Sequence, residues 1–282
     1  MITQLKKAEV FRALHRRNRT FILPNPWDRG TARLLAQLGF DALATTSAGF
    51  AFSQGVLDRQ VGRDAMLVHV ADIAAATDLP LSGDLENGYA HEPDAVAETI
   101  RLAAAHGLVG GSIEDATGDN ADPIYKLGHA EERIRAAAEA AHSLPFPFML
   151  CARAENFLHE RPDLKDTIAR LQAFQQAGAD VLYAPGLTKR EDIATVIREV
   201  DRPVNVLAGM PGLELSLDEL SALGVRRLST GSALARAALG GFLGAAREML
   251  DAGTFRFVDE AAAASRDVVP LLQGCARSRD AQ

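Results

Sequence analysis

Short apolar runs rich in β-formers recur along the chain, and each is followed by a stretch whose apolar positions repeat every three to four residues. The runs are 21–25 (FILPN), 41–47 (DALATTS), 79–86 (LPLSGDLE), 109–115 (VGGSIED), 147–155 (PFMLCARAE), 180–185 (DVLYAP), 203–208 (PVNVLA) and 225–231 (VRRLSTG). Several are continuous in hydrophobicity rather than alternating, the pattern of parallel strands covered on both faces. The spacing predicts a helix over 94–106, with Ala97, Ile100, Leu102 and Ala104 or Ala105 on one apolar side and Glu98 and Arg101 in water. It predicts another over 163–178, where an acidic first turn precedes Leu164, Ile168, Leu171 and Phe174, and Ala-Gly ends the helix.

The phrases LGFDALA, AHGLVGGSI, QAGADVLYA and LGVRRLS each end a helix on glycine and start a strand at once. Strand–helix alternation with short joins implies a parallel sheet built by right-handed crossovers. Eight such units between residues 21 and 231 predict an α/β fold of the (β/α)8 TIM-barrel type, in one domain spanning 1–282. A helix is expected within 1–20, and two more within 232–282, whose Ala-Gly-rich faces suit packing on a partner subunit. A doubly wound dinucleotide fold is disfavoured, because the first helix opens with PWDRGTARLL and a single glycine.

Composition narrows the function classes. The chain has 282 residues, 48% hydrophobic and 24% charged, unlike a disordered polymer. With 30 Lys+Arg against 37 Asp+Glu the formal charge is −7, so neither a nucleic-acid nor an anionic-membrane partner is expected. Two cysteines exclude a disulfide framework or a Cys-rich zinc site: Cys151 reads as a small buried hydrophobe, and Cys275 lies in a polar tail with no suggestion of catalysis. No run approaches the ~18 apolar residues of a membrane helix. The basic, amphipathic start lacks the apolar core of a secretory signal, so a soluble, cytoplasmic protein is expected.

In a barrel the chemistry gathers at the C-terminal ends of the strands. Acidic residues accumulate there: Asp58 after the second run, Asp84 and Glu86 at the third, Glu114 and Asp115 at the fourth. Asp84 and Glu86 stand two apart on a strand and share a face. Elsewhere such a pair reads as solvated loop residues; here the converging charges call for a cation. Oxygen ligands without a Cys or His cluster favour Mg²⁺ or Mn²⁺ over zinc. Arg153 interrupts an apolar run, which suits either a structural ion pair to Glu155 or Glu114, or two-pronged binding of a substrate carboxylate. Thr46, Ser47 and Ala48 lie in a small-residue turn able to offer amides and hydroxyls to an anion. Trp27 suits either a pocket wall or packing.

Together, NPWDRGTARLLAQLGFDAL, TTSAGFAFSQGVLD, DLENGY, GSIED and CARAENF resemble the isocitrate lyase/phosphoenolpyruvate mutase superfamily, over residues 21–231. That resemblance implies an α/β barrel, Mg²⁺, a homo-oligomer of tetrameric kind, and making or breaking C–C or C–P bonds in 2-oxo or 2-hydroxy acids. It implies Asp84 as direct metal ligand, with Glu86, Asp58 and Glu114 supporting largely through water. Thr46, Ser47 and Ala48 would hold the substrate carboxylate, Arg153 would complete its binding, and Asn205 matches the family's asparagine after strand seven.

Three departures matter. The family's Asp-x-Asp is Asp84-Leu85-Glu86; its lyase Lys-Lys/Arg-Cys-Gly-His is Lys126-Leu127-Gly128-His129, without the general-acid cysteine; and the mutase Lys-Asn-Ser loop is replaced by TGDNADPIYKLGH. The expected reaction is therefore Mg²⁺-assisted C–C cleavage of a small 2-hydroxy- or 2-oxo-dicarboxylate, including decarboxylation of an oxaloacetate-like acid, through a stabilised enolate. Its proton would come from Lys126, His129, Tyr89 or water. The alternatives are a C–P mutase or phosphonopyruvate-type hydrolase, for which segment 118–129 supplies Lys126 alone, and a 2-oxo-acid-binding barrel with weak or lost turnover.

Overall fold

The computed structural model describes the backbone of residues 2–280 and the side chains of residues 2–274. Eight strands form one parallel sheet: β1 Phe21–Leu23, β2 Leu43–Ala44, β3 Leu81–Asp84, β4 Gly110–Glu114, β5 Met149–Arg153, β6 Val181–Tyr183, β7 Val204–Leu207 and β8 Arg227–Ser229. Their order, β1-β8-β7-β6-β5-β4-β3-β2, is that of a nearly closed barrel. The seam between β1 and β2 is bridged where the Ala44 amide donates to the Pro24 carbonyl at 3.0 Å and Asn25 Nδ2 donates to the Thr45 carbonyl at 2.8 Å.

Around the strands run α1 Gln4–His15, α2 Arg29–Gln37, α3 Ser47–Ser53, α4 Arg63–Ala74, α5 Pro93–Ala105 and α6 Leu127–His142. There follow α7 Leu164–Gln176, α8 Arg190–Glu199, α9 Leu217–Leu223, α10 Ala233–Arg247 and α11 Val258–Asp280. The four glycines expected to end helices, Gly39, Gly107, Gly178 and Gly224, have φ of 91, 101, 107 and 98°. This is the left-handed conformation that a residue without Cβ adopts at least cost, and it lets each helix turn into the next strand within a few residues.

The core has two shells. One lies between strands and helices, where Leu43, Ile100, Leu150 and Phe174 are buried. The other fills the barrel's N-terminal end, where Phe11 and Leu14 of α1 meet Phe21, Leu23, Met149 and the buried Cys151. Burying Phe11 and Leu14 contributes about 1.5–3 kcal/mol each, so α1 is the plug that closes the barrel's bottom.

Local differences from the sequence expectations have physical causes. The second strand is cut to Leu43–Ala44 because the Thr46 hydroxyl accepts from the Gly49 amide at 3.2 Å and starts α3, so the expected turn at 46–49 is helical. Helix α5 buries Val96, Thr99 and Ala103 beside Ala97, Ile100 and Ala104, which leaves Leu102 half-buried and Ala105 exposed. Glu98 and Arg101 stay in solvent as expected, and there they also pair with each other. Helix α7 starts where Asp163 accepts from the Asp166 amide, and its inner face buries Leu171 and Phe174.

Helix α10 runs on into a π-helical turn, Glu248–Ala252, and α11 returns against α2. Phe242 of α10, Leu250 of the π-helical turn and Phe255 of the connection to α11 are 67%, 85% and 63% exposed, an apolar surface that the chain itself leaves in water. The Cys275 side chain lies outside the described residues. Among the described residues, no helix is long and apolar enough to cross a membrane.

Candidate active site

A cavity of about 380 Å³ opens at the C-terminal ends of the strands. Asp84 stands at the tip of β3 and is oriented from three sides. Its backbone amide donates to Thr45 Oγ1 at 2.8 Å, its Oδ2 accepts from the Ser47 amide at 3.0 Å, and its Oδ1 accepts from Arg153 Nη1 at 2.9 Å. Arg153, at the tip of β5, also reaches Glu155 Oε1 through Nε at 2.9 Å and Glu114 Oε2 through Nη2 at 3.1 Å. The other oxygen of Glu114 accepts from Arg59 Nη2 at 2.7 Å. The Arg153 guanidinium is therefore shared among three carboxylates, and the structural ion pairs read from the sequence, to Glu155 and to Glu114, are both made.

Beyond β3 the chain turns through Glu86 and Tyr89, whose φ values of 49° and 56° are left-handed. Non-glycine residues there cost about 1–3 kcal/mol and persist only where the surroundings over-determine them. Arg133 of α6 supplies that constraint. Its fully buried guanidinium donates to the carbonyls of Asn87, Ala90 and His91 in this turn and to that of Glu114 on β4, and it lies over the Tyr125 ring. One buried cation thus ties the β3 turn to the end of β4.

The electrostatics follow from this crowding. Glu86 is 7% exposed, and its Oε1 is buried without a hydrogen-bond partner. Burial, followed by the charges of Asp84, Glu114 and Asp58, pushes its carboxyl up to about 8. Burial also pushes Glu114 up, against the pull of Arg153. Tyr89 has a buried hydroxyl without a partner, and burial beside Glu86 raises its phenol well above the ordinary value, so it holds its proton.

The expected residues separate into those the cavity gathers and those it does not. Thr46, Ser47, Ala48, Asp58, Asp84, Glu86, Glu114, Arg153 and Asn205 line it. Asp58 is exposed, with Oδ1 accepting from the Arg59 amide at 3.1 Å. Asn205 is fixed by donating to Ser229 Oγ at 2.9 Å and accepting from Arg227 Nε at 2.8 Å. Among the described residues, no three acidic or imidazole groups form a ready-made metal cluster. The oxygen donors gathered here, Asp84, Glu86, Glu114 and Asp58, are nevertheless of the kind that suits a hard cation such as Mg²⁺, and the partnerless Glu86 oxygen is free to take part.

Four expected residues stand elsewhere. Tyr89 lines an adjoining hollow of about 760 Å³ that shares Glu86, Glu114 and Arg59 with the cavity. Lys126 and His129 are outside the cavity wall, because α6 begins between them. Lys126 is exposed at its start, and His129 Nε2 lies 3.0 Å from the His91 carbonyl. Trp27 is half-buried against Gly49, behind α3, and takes packing rather than the pocket wall.

Sequence reading passed over Arg59, Arg133 and Arg227. Arg133 carried a signal, since it falls three residues after Ala130 and four before Ala137 on the buried stripe of α6. Arg227 carried another: it interrupts an apolar strand as Arg153 does. Arg59 sits in a loop, where no periodicity marks it.

The fold has counterparts. The family model described as phosphoenolpyruvate phosphomutase matches residues 11–250. A candidate lyase/mutase from Burkholderia cenocepacia J2315 superposes with a TM-score of 0.93 at 61% identity, covering 96% of this chain and 97% of that one. An uncharacterized Mycobacterium tuberculosis protein is 32% identical over 242 residues, 86% of this chain and 89% of its own length. An oxaloacetate decarboxylase of Bradyrhizobium sp. is 27% identical over 229 residues, 78% of this chain and 77% of its own. A 2-methylisocitrate lyase of Bacillus subtilis is 27% identical over 198 residues, 67% of this chain and 62% of its own length.

Proposed function

The chain belongs to the phosphoenolpyruvate phosphomutase family, and from that premise we propose that it is a Mg²⁺-dependent lyase cleaving a C–C bond of a small 2-hydroxy- or 2-oxo-dicarboxylate. The observation that carries this reading is Asp84, preset by Ser47 and Arg153 beside a Glu86 oxygen that has no partner. Asp84 would hold the ion, with Glu86, Glu114 and Asp58 supporting it through water. The chemistry such an ion supplies is Lewis-acid withdrawal of charge from a chelating 2-oxo acid. Mn²⁺ suits the same donors.

The chain's own groups supply the rest. The start of α3 would offer the Thr46 and Ala48 backbone and the Ser47 hydroxyl to the substrate carboxylate, the Ser47 amide being held by Asp84, and Arg153 sets the orientation of Asp84 while its planar fork stands at the cavity wall. The Tyr89 phenol keeps its proton at neutral pH and borders Glu86, so it or water from the adjoining hollow is the proton source. Without a cysteine at position 127, a reaction whose leaving group needs no strong acid fits best, and decarboxylation of an oxaloacetate-like acid is such a reaction. The named activities of relatives, oxaloacetate decarboxylase and 2-methylisocitrate lyase, support this class.

The test is a steady-state assay with Mg²⁺ over a panel of 2-oxo and 2-hydroxy dicarboxylates and phosphonopyruvate. Release of pyruvate or glyoxylate is expected. Phosphate released together with pyruvate from phosphonopyruvate, with no dicarboxylate cleaved, would replace this reading with C–P hydrolysis, and tight oxalate binding without turnover would replace it with a binding barrel. We also infer a homo-oligomer that covers Phe242, Leu250 and Phe255. Sedimentation velocity checks it, and a monomer at micromolar concentration would refute it.

A further inference from the structure

The cavity has two electrostatic sides. Toward β2–β5 it is acidic, with Asp58, Asp84, Glu86, Glu114 and Glu155, and the two arginines on that side are committed to carboxylates. Toward β7, β8 and the start of α10 no carboxylate lines it, yet two guanidiniums do, Arg227 and Arg236. Arg227 is 3% exposed; its Nε and Nη2 donate to Asn205 Oδ1 and to Cys151 Sγ at 2.8 and 3.0 Å, and its buried Nη1 has no partner. A guanidinium buried on neutral acceptors leaves its charge uncompensated and projects a positive potential into the space beside it.

Two further features have the same sign. Ser232 and Ala233, at the N-terminal end of the 15-residue α10, line this wall, and Ser232 caps the helix without a side-chain hydrogen bond. The Ala233 amide donates to the Thr230 carbonyl at 3.0 Å, and the positive end of the α10 dipole is left to the cavity side. Arg236, one turn on, is exposed and forms no ion pair among the described residues, so its fork is available at the rim. The loops after strands seven and eight are where TIM barrels commonly hold anions. The cations that segment 118–129 does not supply therefore stand on β8 and α10.

We propose that this wall is a subsite for a second anionic group of the substrate, a carboxylate or phosphonate distal to the metal-chelating end, and that Arg236 is the side chain that reads it. The proposal rests on the chelating site described above and adds the recognition of the far end. Arg236 supplies the directed fork; Arg227 and the α10 dipole supply the background potential. A ligand with one anionic end fills only the acidic, cation-holding side. A ligand with two spans both, which makes Arg236 a determinant of specificity rather than of the bond-breaking step.

The test is calorimetry with Mg²⁺ on the wild type, Arg236→Gln and Arg236→Lys, using three probes: oxalate, which has the chelating end alone, malate, and phosphonopyruvate. Arg236→Gln is expected to bind oxalate as the wild type does and to lose about tenfold or more in affinity for whichever longer probe the wild type prefers, with Arg236→Lys between. That preference identifies the distal group as carboxylate or phosphonate. Unchanged affinity for both longer probes in Arg236→Gln overturns the subsite, as does a wild type that binds oxalate but neither of them. A wild type that binds no oxalate overturns the chelating site itself, and the subsite with it.

Discussion

Arg153 Nη1 donates to Asp84 Oδ1 at 2.9 Å while the Ser47 amide holds the other carboxylate oxygen at 3.0 Å. The pair joins the tips of β5 and β3 across the barrel mouth, so Asp84 is oriented before any ligand arrives. Carboxylates that must gather without a cation repel one another. Arg153 offsets that repulsion for Asp84, Glu114 and Glu155 together, and Glu86 alone is left with a buried oxygen unpaired.

Replacing Asp84 with Ala is expected to abolish Mg²⁺-dependent turnover and to weaken Mg²⁺ binding by more than the ~10–100-fold typical of residues that only support a ligand. The fold should survive, because Arg153 keeps Glu114 and Glu155. Calorimetric Mg²⁺ titration beside a thermal melt checks both parts; full activity in this variant would remove Asp84 from the site.

Arg153→Lys keeps the charge and loses the planar fork. With three carboxylates reached through Nε, Nη1 and Nη2, one ammonium cannot satisfy all of them. Charge-assisted hydrogen bonds are worth about 1.5–3 kcal/mol each, so KM should rise roughly 10–100-fold. Steady-state kinetics decide the matter, and an unchanged KM would take Arg153 out of substrate positioning.

The Glu86 carboxyl, raised from its ordinary 4.5 to about 8, sets a pH dependence. Between those values the metal-free folded protein holds a proton that the unfolded chain has lost. Stability of the metal-free protein therefore falls as pH rises through this window, by up to about 1.4 kcal/mol per unit, until Glu86 ionises. Mg²⁺ competes with that proton, so its apparent affinity should climb from pH 6 to about 8 and then level off. Chemical denaturation and Mg²⁺ titrations across pH measure the two slopes; a stability that rises with pH in Glu86-containing protein but not in Glu86→Gln would contradict the assignment.

The barrel was legible because its signals are local. Glycines 39, 107, 178 and 224 stand beside the helices they end, and strand tips follow in chain order. Asp84, Glu86, Glu114 and Arg153 were legible as strand-tip residues for the same reason. Which side chains pair was not: Arg59 reaches Glu114 across 55 positions and Arg153 reaches Asp84 across 69. Lys126 and His129 were misplaced because a strand-to-helix loop conceals where its helix begins. Helix α6 starts at Leu127, and its first turn packs on the 87–91 loop instead of the cavity.

Gly178 tests the αβ joins. Its φ of 107° strains any L-residue, and a Cβ there would stand 2.9 Å from Ala138 Cβ of α6. Gly178→Ala should destabilise the protein by about 1–3 kcal/mol while leaving Mg²⁺ binding intact, since the join lies at the end of the barrel remote from Asp84. Urea denaturation gives the first quantity; a neutral substitution would show that the turn relaxes freely.

Tyr89→Phe separates structure from chemistry more cleanly than any of these. The ring holds a left-handed position in the β3 turn, and the hydroxyl is buried without a partner. Removing an unsatisfied buried hydroxyl while keeping the ring should be neutral or slightly stabilising, so the melting temperature should hold or rise. If the phenol delivers the proton, kcat should drop about 100-fold or more with KM little changed, the loss typical of a missing general acid. Solvent-isotope effects on wild type and variant then identify the donor. An unaltered kcat, with the same isotope effect in both proteins, would assign the proton to water in the adjoining hollow and leave Tyr89 as a support for Glu86.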